Sequence, residues 1–299
     1  MNKSIFISNL MNLRPYSWID LLFIGLVAKV SVEKSFSFDI KDIAMLIGLL
    51  SLWYFYNLLL EWYKAREYRS KPNLIITFSF LALGIILGLI YSPLTLIFSI
   101  SSVFFVLLYL LKNKVTIFGI SSPIVRGIIQ SQYYLYALLF YSKNISNADI
   151  TLSVLIFLMS ASRALIGDLR DIVPDSKTNK NTFPVIFGVQ AAIVLIVILF
   201  LASIIIFISA FQNYLAGFPL ILMIIAVMAY KNGYVLHQLM IIATTFVSVN
   251  LIALLLGDSL ILFNLIFLGI FTNLIFYPLL SRKSNPIFSS QNLSAKTKD

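Results

Sequence analysis

The chain contains no cysteine, which removes disulfides and thiol chemistry from consideration. It is also poor in charge: only 11% of its 299 residues are Asp, Glu, Lys or Arg, and 60% are hydrophobic. A soluble protein of this length needs far more polar surface, and no separate soluble domain is legible. The N-terminal stretch has Lys3 and a short apolar patch. It lacks a long apolar run ending in small residues, so no removable signal peptide is expected. No clear internal repeat is present either, which counts against a small-solute transporter built from repeated halves.

Long apolar runs remain. They place spans near 17–32, 43–63, 74–92, 94–111, 117–141, 149–167, 184–210, 214–230, 236–256 and 259–280. The expected fold is an all-α polytopic membrane protein of about nine to ten helices around a central cavity. Residues 1–280 would form one transmembrane domain and 281–299 a polar, disordered tail. Ser92-Pro93 and Gly257-Asp258 mark tight turns between consecutive spans. The net charge of +10 does not signal nucleic acid, because the basic residues sit in short loops. With the N-terminus placed in the cytoplasm, 17 of the 22 Lys and Arg fall on the cytoplasmic side and four on the far side. Only Arg126 falls deep within a span. Both termini and the two charged loops described next then share the cytoplasmic face.

The densest charged segment follows the sixth span. Asp168, Asp171 and Asp175 recur at i, i+3 and i+7, which on a continuous helix is one face, and Lys177 and Lys180 come directly after. Carboxylates that gather a hard cation, beside ammonium groups, suit a diphosphate held through Mg²⁺. Neutralisation of the three acids by Arg163, Arg170, Lys177 and Lys180 is the plainer alternative. Asn57 and Glu61, one turn apart at the end of the second span, offer further oxygen ligands for Mg²⁺; charges snorkelling from a helix end would read the same way. Arg126 lies about nine residues into the fifth span, with Gln130 on its face. A charge at that depth faces a wet cavity or a partner. It is a candidate contact for a diphosphate or acceptor, or a structural pairing. The lone His237 reads as an interface residue, and Asp20 and Lys29 are assigned no role. The chain carries 25 Phe and 15 Tyr, and rings such as Tyr54, Tyr56, Tyr133 and Tyr134 lie on cavity-lining spans, where ring faces could stabilise an allylic cation.

These motifs resemble those of the UbiA-type intramembrane prenyltransferases, a superfamily that includes 4-hydroxybenzoate polyprenyltransferase and chlorophyll synthase. Asp168, Asp171, Asp175, Lys177, Lys180 and the run from Thr182 through Pro184 to Val185 match its second aspartate motif. The usual glycine of that loop is Asn179 here, a residue that tolerates positive φ. Ser176 and Asn181 replace two usual arginines. Arg14-Pro15 with Trp18, Lys71-Pro72 and Leu111-Lys112 resemble other family landmarks. The first aspartate motif departs: Asn57 is kept, Leu58 and Ala65 stand where acids are usual, Glu61 replaces the middle Asp, and Glu67 is out of phase.

The resemblance implies Mg²⁺-dependent transfer of an isoprenyl group from a prenyl diphosphate to a hydrophobic or aromatic acceptor within the membrane. Asn57, Glu61, Asp168, Asp171 and Asp175 would be the catalytic and metal-ligating set. Lys177, Lys180, Arg126, Lys64 and Gln130 would bind substrate. The implied partners are the diphosphate, the acceptor and membrane lipid, with no nucleic acid. A terpene cyclase of the same fold, acting without acceptor, and a member with impaired catalysis are the alternatives that the altered first motif keeps open.

Overall fold

The computed structural model describes residues 18–64, 72–113, 115–212, 218–229 and 233–257. The landmarks at Arg14, Ala65, Glu67 and Lys71, the tenth span, the polar tail and the side chain of Lys64 lie outside the described residues. Within them the chain is helical and has no strand. The elements are α1 (Trp18–Glu33), α2 (Ile40–Lys64), α3 (Leu74–Tyr91), α4 (Thr95–Leu110), α5 (Thr116–Ile120), α6 (Ser122–Leu138), α7 (Asn147–Arg170), α8 (Ile172–Lys177), α9 (Phe183–Phe211), α10 (Phe218–Met228) and α11 (Gly233–Leu256). A 3₁₀ turn, Leu111–Asn113, closes α4. Among these, α2, α3, α7, α9 and residues 235–256 of α11 are long and apolar enough to cross a membrane, while α4 and α10 are apolar but shorter. The chain is an integral membrane protein.

Local chemistry sets the boundaries. Asn73 caps α3 by accepting from the Ile75 amide at 2.8 Å. Ser146 and Asp149 form a capping box at the start of α7. Ser92-Pro93 makes the expected turn, and Gly257, at φ 70°, ends α11. Two prolines break what the apolar pattern reads as continuous. Pro123 has no amide hydrogen, and its ring excludes a helical carbonyl four residues back, so the fifth expected span divides into α5 and α6 at Ser121. Pro174 does the same to the acidic segment. Its i−4 residue is Arg170, and α7 stops there. Asp171, at φ −95° and ψ 8°, is the joint between α7 and α8, so Asp168, Asp171 and Asp175 do not share the face of one helix.

Lipid is as apolar as leucine, so apolar character does not sort these helices; polar side chains and close packing do. α3 turns most of its surface outward, with Ile75 76% and Ile90 67% exposed. α7 packs against α6, α9 and α11, and α1 packs against α6 and α11, which puts α1, α6, α7 and α11 around a common interior. The far end of α1 is fastened by a buried ion pair. Lys29 Nζ lies 2.6 Å from Asp42 Oδ2 at the start of α2, both residues are 1% exposed, and the Tyr141 hydroxyl donates to Asp42 Oδ1 at 2.6 Å. Lys29 therefore belongs to the interior and not to a loop.

Candidate active site

The interior holds a cavity of about 320 Å³, walled by α1, α2, α4, α6, α7 and α11. Of the residues expected from sequence to bind metal or substrate, Asp168, Asp171, Arg126 and Gln130 line it. α7 brings Asp168 to the wall near its end, where the side chain is buried and accepts from the Ser122 hydroxyl at 3.3 Å. Ser122 is available there because the Pro123 break starts α6 at that level. Asp171, at the joint, is clasped by its neighbour Arg170: Nε to Oδ1 is 2.7 Å and Nη2 to Oδ2 is 2.6 Å.

Facing Asp168 is a cation that the sequence reading treated only as a topology signal and a family landmark. Lys112, in the 3₁₀ turn after α4, lines the cavity; its Nζ donates to the Tyr109 hydroxyl at 3.2 Å and lies 4.7 Å from the centre of that ring. Burial works against its charge, yet the Tyr109 oxygen and the Asp168 carboxylate more than offset burial and hold the Lys112 pKa above the ordinary lysine value. Arg126 supplies a second cation from α6. Its guanidinium sits 4.9 Å from the Trp53 ring and 5.0 Å from the Tyr56 ring, both on α2, and donates to the Tyr56 hydroxyl. The two rings touch each other, 5.3 Å between centres, and together give the guanidinium an aromatic surface to lie against, which with the Tyr56 hydroxyl restricts where its donors point.

The other expected residues lie elsewhere. On α2 it is Tyr56 and Leu60, one turn apart, that line the cavity. Asn57 and Glu61 each follow by one residue, about 100° around the helix, and are buried off the cavity wall. Asn57 Nδ2 donates to the Trp53 carbonyl at 2.8 Å, while its Oδ1 is buried with no hydrogen-bond partner. Asp175 is buried and faces Lys180, with Nζ 2.6 Å from Oδ1. The Lys180 amide also donates to the Asp175 carbonyl at 2.9 Å, across a turn in which Asn179 takes φ 52° as its side chain allows. This turn docks on α5: Asn181 Nδ2 donates to Thr116 Oγ1 at 2.9 Å, and a Cβ on Gly119 would come within 2.3 Å of the Asn181 carbonyl oxygen. Lys177 ends α8 away from the cavity. Among the described residues no three carboxylates or imidazoles converge on one point.

The sequence reading also missed a second charged edge of the cavity. Arg163, counted there with the cytoplasmic loops, lies within α7 and pairs with Asp20 of α1, Nη1 to Oδ2 2.9 Å. His237 lines the cavity from α11 and lies over Gly167 of α7, where a Cβ would be in ordinary contact with its ring at 3.9 Å. The signal available in sequence was spacing: Arg163, Gly167 and Arg170 recur at i, i+4 and i+7 on α7. Of the four rings named from sequence, Tyr56 lines the cavity; Tyr133 and Tyr134 are fully buried in the core, and Tyr54 packs edge-on against Trp18 and Phe80.

The sequence model of the UbiA prenyltransferase family matches residues 65–239. Solved structures share the fold at low identity. One, described for digeranylgeranylglyceryl phosphate synthase in membranes, is 16% identical, with a TM-score of 0.65 over 85% of this chain and all of that one. A UbiA homologue from Archaeoglobus fulgidus, bound to GPP and Mg²⁺, is 14% identical, with a TM-score of 0.60 over 87% and 99%. The apo structure of a UbiA homologue from Aeropyrum pernix K1 is 14% identical, with a TM-score of 0.54 over 84% and 97%. No curated protein matches the chain.

Proposed function

Since the chain belongs to the UbiA prenyltransferase family, we propose that it transfers an isoprenyl group from an allylic prenyl diphosphate to a hydrophobic acceptor inside the membrane, with Mg²⁺ as cofactor. The observation that carries this reading is the pairing of a buried carboxylate, Asp168, with two cations, Lys112 and Arg126, on the wall of one intramembrane cavity. A carboxylate there can share a cation with the diphosphate, and the ammonium and guanidinium can take the charge that grows on departing pyrophosphate. The Archaeoglobus fulgidus homologue bound to GPP and Mg²⁺ supports the same assignment.

The residues fit Mg²⁺. Asp168 and Asp171 are hard oxygen donors at one end of the cavity, and Mg²⁺ is ordinarily held by one or two carboxylates together with substrate phosphates. Asn57, buried off the cavity wall, adds no oxygen to this pair. When bound, the ion would neutralise diphosphate charge and favour loss of pyrophosphate. Asp168 and Asp171 orient the diphosphate end of the substrate. Lys112 and Arg126 hold the leaving oxygens against a wall of buried side chains, where each charge counts for more than in water. Tyr56 lines the cavity with an aromatic ring, a group that attracts a developing allylic cation. Asp175 and Lys180 act by fixing the turn against α5; Glu61 and Lys177 stand outside the cavity wall. The bias of Lys and Arg toward one side supports a cytoplasmic location for this end of the cavity.

The test is pyrophosphate release by the purified protein in lipid nanodiscs, from geranyl diphosphate, with and without Mg²⁺ and with a membrane lipid extract as acceptor. Release that needs both Mg²⁺ and extract, and that Asp168→Ala abolishes, is the expected result. Wild-type turnover in Asp168→Ala would overturn the site. Release without extract would make the protein a cyclase or a hydrolase.

A further inference from the structure

The Asp20–Arg163 pair lines the same cavity as Asp168, and the diphosphate site proposed above does not use it. Both side chains are 23% exposed, and their shared exposure is to the cavity they line. Asp20 Oδ2 is held by Arg163; among the described residues Oδ1 has no hydrogen-bond or ion-pair partner. The arginine thus fixes the carboxylate and leaves one oxygen to accept from whatever enters. The pair is neutral overall, so an anionic group gains nothing from Arg163 that Asp20 has not already taken, and it would meet the carboxylate at close range. A neutral O–H donor has neither problem.

The surroundings define the rest of the ligand. Phe23, Ile24 and Val27 continue along α1 from Asp20 at i+3, i+4 and i+7 and line the same cavity, an apolar strip about 10 Å long. The site therefore suits an amphiphile with one hydroxyl and an apolar body. Its position suits the reaction too. Arg163 precedes Asp168 by five residues on α7, about 7.5 Å further from the diphosphate end. With a diphosphate held at Asp168, a hydroxyl on Asp20 would stand off from the leaving oxygens, on the side a nucleophile needs.

We propose that Asp20, oriented by Arg163, binds the acceptor's hydroxyl and takes its proton, so that the acceptor is an amphiphilic alcohol or phenol and the product is a prenyl ether. This rests on the prenyl-transfer reading above and names its acceptor class. The acceptor oxygen forms its bond to the allylic C1 as the bond from C1 to the diphosphate oxygen breaks, with that electron pair leaving on pyrophosphate. The proton on the new ether oxygen passes to Asp20. Asp20 is then a catalytic residue, and Arg163 a positioning residue.

The experiment uses the full chain in nanodiscs with geranyl diphosphate and Mg²⁺. Dodecanol and para-octylphenol serve as probes, and their methyl ethers as controls. Expected are geranyl ethers of both probes, none from the controls, and a loss of about a hundredfold or more in ether formation in Asp20→Asn. Affinity for geranyl diphosphate stays within about twofold of wild type, which also shows that the variant is folded. Asp20→Glu recovers part of the rate, and Arg163→Gln lowers kcat with the same diphosphate affinity. Wild-type ether formation in Asp20→Asn overturns the proposal. So does a ring-carbon product from para-octylphenol, or rejection of both probes while a lipid extract yields a product that is not an ether. A wild-type protein that neither binds geranyl diphosphate nor releases pyrophosphate under any of these conditions would instead remove the prenyl-transfer reading, and this proposal with it.

Discussion

Replacing Lys112 by Met tests whether the cavity is built to carry off a diphosphate. Met keeps the length and the apolar stem, so packing beside Tyr109 survives and the change is close to a pure loss of charge. In the free protein the ammonium faces Asp168; with substrate bound it faces phosphate oxygens whose charge grows as the C–O bond breaks. Two unit charges about 4 Å apart interact by about 4 kcal/mol at an effective dielectric of 20. Loss of one preorganised donor to a developing anion typically costs about 2.7–4 kcal/mol. The two routes agree on about 3–4 kcal/mol, a fall of roughly 10²- to 10³-fold in kcat. Lys112→Arg should keep much of the rate, since it keeps the charge. The assay is pyrophosphate release from geranyl diphosphate in nanodiscs at saturating Mg²⁺, with substrate affinity measured separately. Because the charge grows during the reaction, kcat should fall more than affinity. A Lys112→Met rate within about threefold of wild type would refute the assignment, as would a loss confined to KM.

Arg126→Lys keeps the charge but loses the planar guanidinium that lies against the Trp53 and Tyr56 rings; turnover should fall about tenfold with little change in melting temperature, and an unchanged rate would count against a directed guanidinium. Lys29→Met leaves Asp42 buried without its cation, which should cost about 3–5 kcal/mol and lower the melting temperature in detergent. Diphosphate affinity should be unaffected, because the pair sits at the opposite end of α1 from Asp20; equal melting of variant and wild type would refute the buried-pair argument. Gly233→Ala places a Cβ 2.7 Å from the Arg170 Cα and 3.0 Å from its amide nitrogen. These are backbone atoms, so α11 must move off α7, at a cost of about 1–3 kcal/mol, and a thermal melt that shows no loss would mean the contact is looser than described.

The sequence by itself determined the class of fold and the positions of the main helices, because the cost of placing unpaired backbone or charge in lipid leaves a signal in every apolar run. Nine of the expected spans coincide with helices among the described residues, and turns at Ser92-Pro93, Asn179 and Gly257 follow from local backbone chemistry. The acidic segment, Arg126 and Gln130 were also legible, since polar groups stand out against so apolar a background.

Which of those groups meet was decided by tertiary structure. The Pro174 break turns Asp175 away toward Lys180 while Asp168 and Asp171 face the cavity. A rotation of one residue on α2 sets Tyr56 there and buries Asn57 and Glu61 off its wall. Lys112 and Arg163 read as charges of the cytoplasmic side and His237 as an interface residue, and Asp20 had no role; the spacing of Arg163, Gly167 and Arg170 shows a shared face but not what it meets. These residues become one cavity only where α1, α4, α7 and α11 meet. That meeting depends on close approaches such as Gly233 on Arg170, a contact between residues far apart in the chain, which no spacing within a single segment encodes.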